Sequence, residues 1–343
     1  MPDDNSKDAQ QLADFCTALI KKVEAQSAAP ALAFQAGLAQ FALFEKEPLV
    51  TQWATTQFNE IVYQTTASRI HLVYSELPDH SAIALLNDLW FSEVENLFEQ
   101  AGLNGFYHPD RQHLEFYDPT QKVGLRILPR HADCPIWESS APLANFVGWA
   151  NAASGGNMLH AATLGTATKG ALICGKGGSG KSLLTLAGVT IGLDSAGDDY
   201  VILKGAPEER YTAWQCSNTA KQSPQGLGLL GDAGEQFKDG PLNWQQKYVF
   251  QLPRKARDLP VSIDMIIVPR IADCPKIHAA QRAGVFRQLT ESTIQQLAGR
   301  RRPLLTFCAS LVRALPVFEL EMGPDILANA HFLREFLERQ DWA

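Results

Sequence analysis

The chain has 343 residues, 45% of them hydrophobic and 20% charged, and its 30 basic and 37 acidic side chains give a net charge of −7. At about 150 residues per domain, this composition predicts roughly two globular domains and excludes a disordered, collagen-like or coiled-coil chain. Because there is no basic excess, we expect neither a nucleic-acid partner nor attachment to an anionic membrane surface.

The cysteines and the first residues predict a cytoplasmic protein. The six cysteines are scattered, with no CxxC pair and no zinc-type spacing to histidine, which is typical of reduced thiols. The first residues, MPDDNSKDAQQ, are acidic and polar, whereas a secretory signal has a basic segment followed by an apolar one. No run of about 18 apolar residues occurs, so membrane insertion is not expected.

Residues 1–150 predict an α+β domain that carries no motif of its own and could bind the substrate or a partner. Apolar residues recur every three to four positions over residues 6–26, which predicts an amphipathic helix. Runs rich in β-formers at Ile70–Tyr74 and Val123–Leu128 predict strands. The stretch from Ala82 to Leu97 predicts a helix.

Residues 151–343 predict a second domain of the α/β class. The small residues near Ala150–Gly156 predict the link between the two domains. Beyond it, short apolar runs alternate with helical periods, as in an α/β layer, and a capped amphipathic helix is predicted over Asp325–Leu337. The predicted strands are Ala171–Cys174, Tyr200–Leu203, Tyr248–Leu252, Ile263–Val268 and Val317–Met322.

One segment of this second domain satisfies the pattern GxxxxGK[ST]. It comprises Gly175, Lys176, Gly177, Gly178, Ser179, Gly180, Lys181 and Ser182. Glycines let backbone N–H groups point at phosphate oxygens, a lysine such as Lys181 neutralises the outer phosphates, and a hydroxyl such as that of Ser182 reaches Mg²⁺. An apolar strand precedes the segment and a helix follows it, so we expect a P-loop that binds a nucleotide.

The acid that many P-loop enzymes carry at the end of a second strand is not found at the expected place. The best candidate strand, Ile263–Val268, runs into Pro269 and Arg270. Instead, Asp198 and Asp199 stand 17 and 18 residues after the P-loop lysine, directly before a predicted strand. Two adjacent carboxylates can divide the work, because one coordinates Mg²⁺ while the other accepts a proton from an attacking hydroxyl.

Together with His160, which lies 21 residues before Lys181, these segments resemble a known family. The residues Gly175–Ser182 and Gly197–Leu203 are similar to the core of the HPr kinase/phosphorylase superfamily, and to its HPr-kinase-like branch in particular. The resemblance covers about residues 145–340. It implies a P-loop kinase core of the HPr kinase/phosphoenolpyruvate carboxykinase type, while the amino-terminal part does not match the regulatory domain of the HPr enzyme.

The resemblance also implies roles for individual residues. Lys181 would bind the phosphates of ATP, and Ser182 with Asp198 would hold Mg²⁺. Asp199 would be the general base, supported by Asp198 and His160 near the transferred phosphoryl group. An unperturbed aspartate is a weak base, so positioning and electrostatics would supply most of the rate.

The chain departs from the HPr enzyme in one segment. Gly226–Gly228 is present, but Gln225 stands where that enzyme has an arginine, and Ser223 stands near the place of its metal-binding glutamate. No RPGRN-like loop is visible either. We therefore do not expect the reverse phosphorylase reaction or HPr as substrate, and the ligand that replaces the glutamate is left open.

The sequence thus predicts an ATP- and Mg²⁺-dependent kinase that phosphorylates a serine-type hydroxyl on a protein, a peptide or a small metabolite. Lys221 and Arg270 are further candidates for contacts with the phosphoryl group or substrate. The alternative is a nucleotide-binding regulatory module with little or no turnover. Pyrophosphate as donor and carboxykinase-like chemistry also stay open, and a homo-oligomer is compatible with the sequence.

Overall fold

The computed structural model describes residues 4–27, 29–238, 240, 242–252, 260–299 and 301–339. The described chain is a mixed α/β structure, which confirms the predicted α/β class at that level. It divides into two compact units: unit 1 is Met1–Ser154 with Leu297–Arg301, and unit 2 is Gly155–Gln296 with Arg302–Ala343. Among the described helices, none combines the length and the apolar character needed to cross a bilayer.

Unit 1 is built on a mixed sheet. Its helices are α1 (Asp4–Glu24), α2 (Leu49–Gln57), α3 (Ser81–Asn87), α4 (Phe91–Gln100) and α5 (Ala144–Ala153). Its strands are β1 (Leu32–Ala36), β2 (Ala39–Glu45), β3 (Asn59–Glu60), β4 (Ser68–Tyr74), β5 (Asn104–His108), β6 (His113–Asp118) and β7 (Val123–Leu128). Within the described residues they form one sheet in the order β3-β1-β2-β4-β7-β6-β5, parallel at β2–β4 and β4–β7.

The helix predicted over residues 6–26 is α1, and its apolar stripe explains how it packs. Leu12, Cys16 and Ile20 are spaced four apart, lie on one face and are fully buried against α3, α4 and the sheet. The helix predicted from Ala82 to Leu97 is wrong as a single element. It is interrupted after α3, because the carboxylate of Glu93 accepts the backbone N–H of Trp90 at 2.8 Å and starts a second helix there.

The described residues of unit 2 form three sheets. Its strands are β8 (Asn157–Leu159), β9 (Ala162–Gly165), β10 (Gly170–Ile173), β11 (Val201–Lys204), β12 (Tyr211–Gln215), β13 (Thr219–Gln222), β14 (Tyr248–Gln251), β15 (Val261–Ile263), β16 (Met265–Ile271), β17 (Lys276–Ala279) and β18 (Val317–Met322). Its helices are α6 (Lys181–Thr190), α7 (Pro224–Gly228), α8 (Asp232–Glu235), α9 (Arg282–Ile294), α10 (Arg301–Ala314, of which all but the first residue lies in this unit) and α11 (Ile326–Glu338). In the described part of the chain the sheets are β17-β18-β16-β10-β9, β15-β12-β11-β8 and β13-β14.

The sheet that contains β10 is buried on both faces. Ala171 and Ile173 belong to the core that includes α6 and α11, whereas Leu172 and Cys174 belong to the core that includes α9 and α10. A strand covered on both sides reads as a continuous apolar run, and this is why the sequence of β10 does not alternate. The parallel β10–β16 and β16–β18 pairs place β10 inside the sheet, so the loop that follows it starts from a fixed point.

The predicted strand Ile263–Val268 is wrong as a single strand. Ile263 ends β15, which pairs with β12, while Met265 begins β16, which pairs with β10 in another sheet. Asp264 makes the transition, since its carboxylate accepts the backbone N–H of Gly170 at 2.9 Å. The apolar run is therefore shared by two sheets.

Candidate functional site

The Gly-rich segment forms the turn between β10 and α6. Gly175, Gly178 and Gly180 have φ values of 149°, 80° and 95°, a region that side chains with a Cβ rarely adopt. A Cβ at Gly180 would also collide with the methyl carbon of Met322. Within the described residues, the N–H groups of Gly177, Gly178 and Gly180 make no backbone hydrogen bond. The turn therefore offers free donors beside the positive end of the α6 dipole.

Lys181 is the first residue of α6 and folds back over this turn. Its side chain is buried, and its Nζ donates to the carbonyl oxygens of Gly175 at 2.7 Å and Lys176 at 3.2 Å. Burial lowers the pKa of the Lys181 ammonium, and the nearby Asp198 carboxylate opposes that change. The charge of Lys181 thus lies between the turn and the carboxylate pair.

Asp198 is the buried member of that pair and is 3% exposed. Burial, followed by the charge of Asp199, raises the pKa of its carboxyl group to about 7, while a hydrogen bond with the Ser182 hydroxyl lowers it. Within the described chain, Oδ1 of Asp198 has no hydrogen-bond partner. An unpartnered buried carboxylate oxygen beside a hydroxyl is an oxygen donor set that suits Mg²⁺. The residues present therefore fit a divalent cation.

The raised pKa of Asp198 predicts a specific pH dependence of stability. Because the folded protein holds this proton more tightly than the unfolded chain, the contribution is full below the ordinary value of 3.8 and is lost as the pH rises through about 7. Between about pH 5 and 7.5 the loss is about 2–3 kcal/mol in the free energy of unfolding. We expect urea unfolding in EDTA to show a flatter pH profile for Asp198→Asn than for the wild type.

The exposed Asp232 supplies the control for this comparison. Asp232→Asn should keep the wild-type pH profile, because it removes one exposed carboxylate and leaves Asp198 in place. Asp199 does not disturb the comparison, since its lowered pKa places its contribution below this pH range. Parallel profiles for the wild type and Asp198→Asn would show that Asp198 is not held protonated in the folded protein.

Asp199 has the opposite environment, although it is adjacent in sequence. Its Oδ2 accepts from Nζ of Lys221 at 2.6 Å, and its Oδ1 lies 3.2 Å from Nε2 of His160. Burial raises the pKa of the Asp199 carboxyl, but Lys221 and then His160 hold it well below its usual range. Lys221 reaches this point from β13, in the β13–β14 hairpin. Near neutral pH, Asp199 is thus ionised, whereas Asp198 is partly protonated.

His160 is 8% exposed and is held on several sides. Its backbone N–H donates to Oγ1 of Thr293 at 3.2 Å, and its Nδ1 lies 3.1 Å from Nε2 of Gln296. The Tyr200 hydroxyl donates to Oε1 of Gln296 at 2.6 Å, and the Tyr200 and His160 rings are 5.7 Å apart. These contacts connect the residue after the aspartate pair to the predicted site histidine.

Apart from Arg270, the predicted site residues form two groups. The structure brings the Gly175–Ser182 segment together with Asp198, and it brings Asp199 together with His160 and Lys221. Arg270 is not part of this network. Its guanidinium donates to Glu319 at 2.7 Å and to Glu321, with 53% of its side chain exposed.

Three residues near the site were missed from the sequence: Gln296, Tyr200 and Lys247. The positive charge of Lys247 contributes to lowering the pKa of Lys181, so it acts on the same turn. Gln296 follows the end of α9, more than a hundred residues from His160, and no local pattern marks it. Only Tyr200 carried a signal, because it directly follows the aspartate pair.

No protein-family profile matches the chain, and no curated protein matches it. Among solved structures, it is similar to the HPr(Ser) kinase/phosphatase from Coxiella burnetii, with 14% identity and a TM-score of 0.26. The similarity covers 52% of this chain and 97% of that one. At this level of similarity, the comparison assigns neither a family nor an activity to the chain.

Proposed function

We propose that this protein is an ATP- and Mg²⁺-dependent phosphotransferase that transfers the γ-phosphoryl group to an aliphatic hydroxyl. The observation that carries the proposal is the pair Asp198–Asp199 beside the Gly175–Ser182 turn. One carboxylate is buried and has an unpartnered oxygen, and the other is ionised and paired with two potential cations. That division suits one cation ligand and one proton acceptor.

The turn and Lys181 would hold the phosphate chain of ATP. The free N–H groups of Gly177, Gly178 and Gly180 are donors for phosphate oxygens, and the α6 amino terminus favours negative charge. Lys181 now donates to two carbonyl oxygens of the turn, so it would exchange those bonds for charge-assisted bonds to phosphate. The same turn would thereby orient the outer phosphoryl group toward the aspartates.

Ser182 and Asp198 would hold Mg²⁺. When bound, the ion would supply positive charge that offsets the negative charge of the phosphates. Asp198 must lose its proton to act as a ligand, because a coordinating carboxylate is ionised. Its pKa of about 7 means that this costs little near neutral pH.

Asp199 would orient the acceptor hydroxyl and take its proton. Its low proton affinity makes it a weak base toward an unreacted alcohol, so the proton moves late, as the bond to phosphorus forms and the hydroxyl becomes acidic. Lys221 and His160 keep the carboxylate ionised and fixed, and both can balance charge on the transferred group.

A nucleotide-binding regulatory module is the second candidate, and one observation favours it. Both oxygens of Asp199 already have partners, Lys221 at 2.6 Å and His160 at 3.2 Å. If those bonds persist when a nucleotide binds, the carboxylate serves as a structural ion pair and accepts no proton. The site would then bind ATP and report its presence without turnover.

A donor screen separates these candidates. The purified protein is incubated with extract fractions and with either γ-labelled ATP or labelled pyrophosphate, in Mg²⁺ or in EDTA. We expect a labelled phosphate ester from ATP in Mg²⁺, and none in EDTA. Binding of ATP without any labelled product across all fractions would favour the regulatory module. Label that enters a product only from pyrophosphate would overturn ATP as the donor.

A further inference from the structure

We infer that unit 1 contains a binding site for a small, neutral phenolic compound, in a cavity beside the carboxyl ends of β2 and β4. The cavity has a volume of about 300 Å³. Its walls come from the end of α1 and the residues just after it, from the end of β2, and from β4. None of its lining residues takes part in the proposed phosphotransfer.

The place of the cavity in the sheet is one where ligands commonly bind. β2 and β4 pair in parallel, with Phe44 opposite His71 and Glu45 opposite Leu72. All four of these residues line the cavity. In open sheets with parallel strands, ligands bind outside the carboxyl ends of the strands. The cavity thus lies where the architecture favours a ligand.

Aromatic and aliphatic side chains form one part of the wall. The rings of Phe44 and His71 are stacked, with centroids 4.5 Å apart and planes 15° from parallel. Phe44, Val23 and Val73 line the cavity and are only partly buried. A ligand ring would cover this apolar surface and could stack against Phe44. Because a cavity of about 150 Å³ holds benzene, this one has room for one ring with substituents.

His71 contributes a polar atom that has no partner. The residue is 2% exposed, and its Nδ1 lies 3.1 Å from the hydroxyl oxygen of Ser27. Within the described residues, its Nε2 makes no hydrogen bond. A buried polar atom without a partner costs free energy, so a ligand that bonds to it gains affinity. A hydroxyl suits either tautomer of the ring, since it donates to a bare nitrogen and accepts from an N–H group.

The cavity offers little to an anion. Burial lowers the pKa of the His71 imidazole to about 4, so the ring is neutral near pH 7 and cannot pair with a negative charge. The lining residues Lys46 and Glu47 are adjacent, exposed and of opposite charge, so they largely offset each other.

The lining carboxylate of Glu45 is equally unsuited to a cation, because its two oxygens are already occupied. Oε1 accepts from the Val50 backbone N–H at 3.1 Å and from the Tyr74 hydroxyl at 2.6 Å. Oε2 accepts from the backbone N–H and the hydroxyl of Thr51, each at 2.7 Å. An ammonium group would have to displace these donors. A neutral ligand with an apolar ring and one hydroxyl therefore matches the cavity best.

The test is a titration of the full-length protein with phenol, toluene and benzoate, followed by ligand-observed NMR. At about pH 7 phenol is neutral and benzoate is ionised. An apolar cavity without a polar partner would prefer toluene about tenfold, because the phenol hydroxyl loses its water for nothing. We expect phenol to bind with a Kd of roughly 1–5 mM and at least as tightly as toluene. Benzoate should bind at least about tenfold more weakly than phenol.

A pair of histidine variants identifies the polar atom. His71→Phe keeps a ring beside Phe44 but removes the unpartnered nitrogen, so toluene should now bind about tenfold more tightly than phenol. His108→Phe makes the same exchange at an exposed position of β5 and should keep the wild-type preference. If His71→Phe does not fold, the ¹⁵N shift of Nε2 in the wild type replaces it. That signal should move on addition of phenol and stay in place with toluene.

Four results would each overturn the inference. The first is no binding of phenol at about 20 mM. The second is a tenfold preference for toluene in the wild type. The third is a preference for phenol that persists in folded His71→Phe, or an Nε2 shift that does not respond to phenol. The fourth is tighter binding of benzoate than of phenol, which would make the cavity an anion site.

Discussion

Asp199→Asn is expected to lower the rate of phosphoryl transfer by about a thousandfold while ATP affinity stays within a fewfold of wild type. The amide is nearly the same size as the carboxylate but cannot accept the hydroxyl proton, and it carries no charge to hold Lys221 and His160 in place. ATP binding should persist, because the Gly175–Ser182 turn and Lys181 are untouched. The rate is measured with the acceptor found in the donor screen, and the affinity by calorimetry.

The control for this substitution is Asp232→Asn, which removes one exposed carboxylate from the same unit. It should leave both the rate and the affinity as in the wild type. Stability has to be followed as well, because Asp199→Asn leaves the Lys221 ammonium, whose side chain is 14% exposed, without its carboxylate. Full activity in a folded Asp199→Asn protein would refute its assignment as the proton acceptor.

Lys181→Ala is expected to weaken ATP binding roughly a hundredfold, which corresponds to about 2.7 kcal/mol. The substitution removes the charge that would pair with the outer phosphates, and no other residue of α6 can replace it from the same position. Calorimetric titration with a non-hydrolysable ATP analogue measures the change directly and does not depend on knowing the acceptor.

Urea unfolding of Lys181→Ala separates loss of binding from loss of folding. The substitution removes a buried charge, whose pKa burial lowers, and it also removes the two hydrogen bonds from Nζ to the turn. Lys204→Ala, at an exposed end of β11, is the matched control and should retain wild-type affinity. Unchanged affinity in Lys181→Ala would mean that the Gly-rich turn does not bind the phosphates.

The sequence predicts the elements around the site because their signals are local. The positive φ values of Gly175, Gly178 and Gly180 are properties of single residues, and the glycine pattern predicts them. The helix that begins at Lys181, and the strand that begins at Val201 just after the aspartate pair, follow from short periodic runs. Such features need no knowledge of distant parts of the chain.

Other features depend on long-range pairing and could not be predicted. The apolar run around Asp264 looks like one strand, yet its two halves pair with β12 and β10, and composition does not encode the choice of partner. The helix predicted from Ala82 to Leu97 keeps its apolar period across the break, so only the hydrogen bond from Trp90 to Glu93 reveals it. Local periodicity therefore gives element types more reliably than element boundaries.

The roles within the aspartate pair show the same limit. No sequence pattern distinguishes Asp198 from Asp199, because they are adjacent residues of the same type. Their difference arises from burial and from Lys221 and His160, which come from other parts of unit 2. The opposite shifts in the pKa values of the two carboxyl groups supply a physical reason for the division of work that we propose.

A structure of the protein with Mg²⁺ and a non-hydrolysable ATP analogue tests most directly whether the turn and the aspartate pair serve the same phosphate chain. We predict that the phosphates contact the N–H groups of Gly177–Ser182 and the Lys181 ammonium. The ion should be bound by Ser182 and Asp198, with the terminal phosphoryl group facing Asp199. A nucleotide bound elsewhere, or one whose terminal phosphate points away from Asp199, would contradict the proposed phosphotransferase.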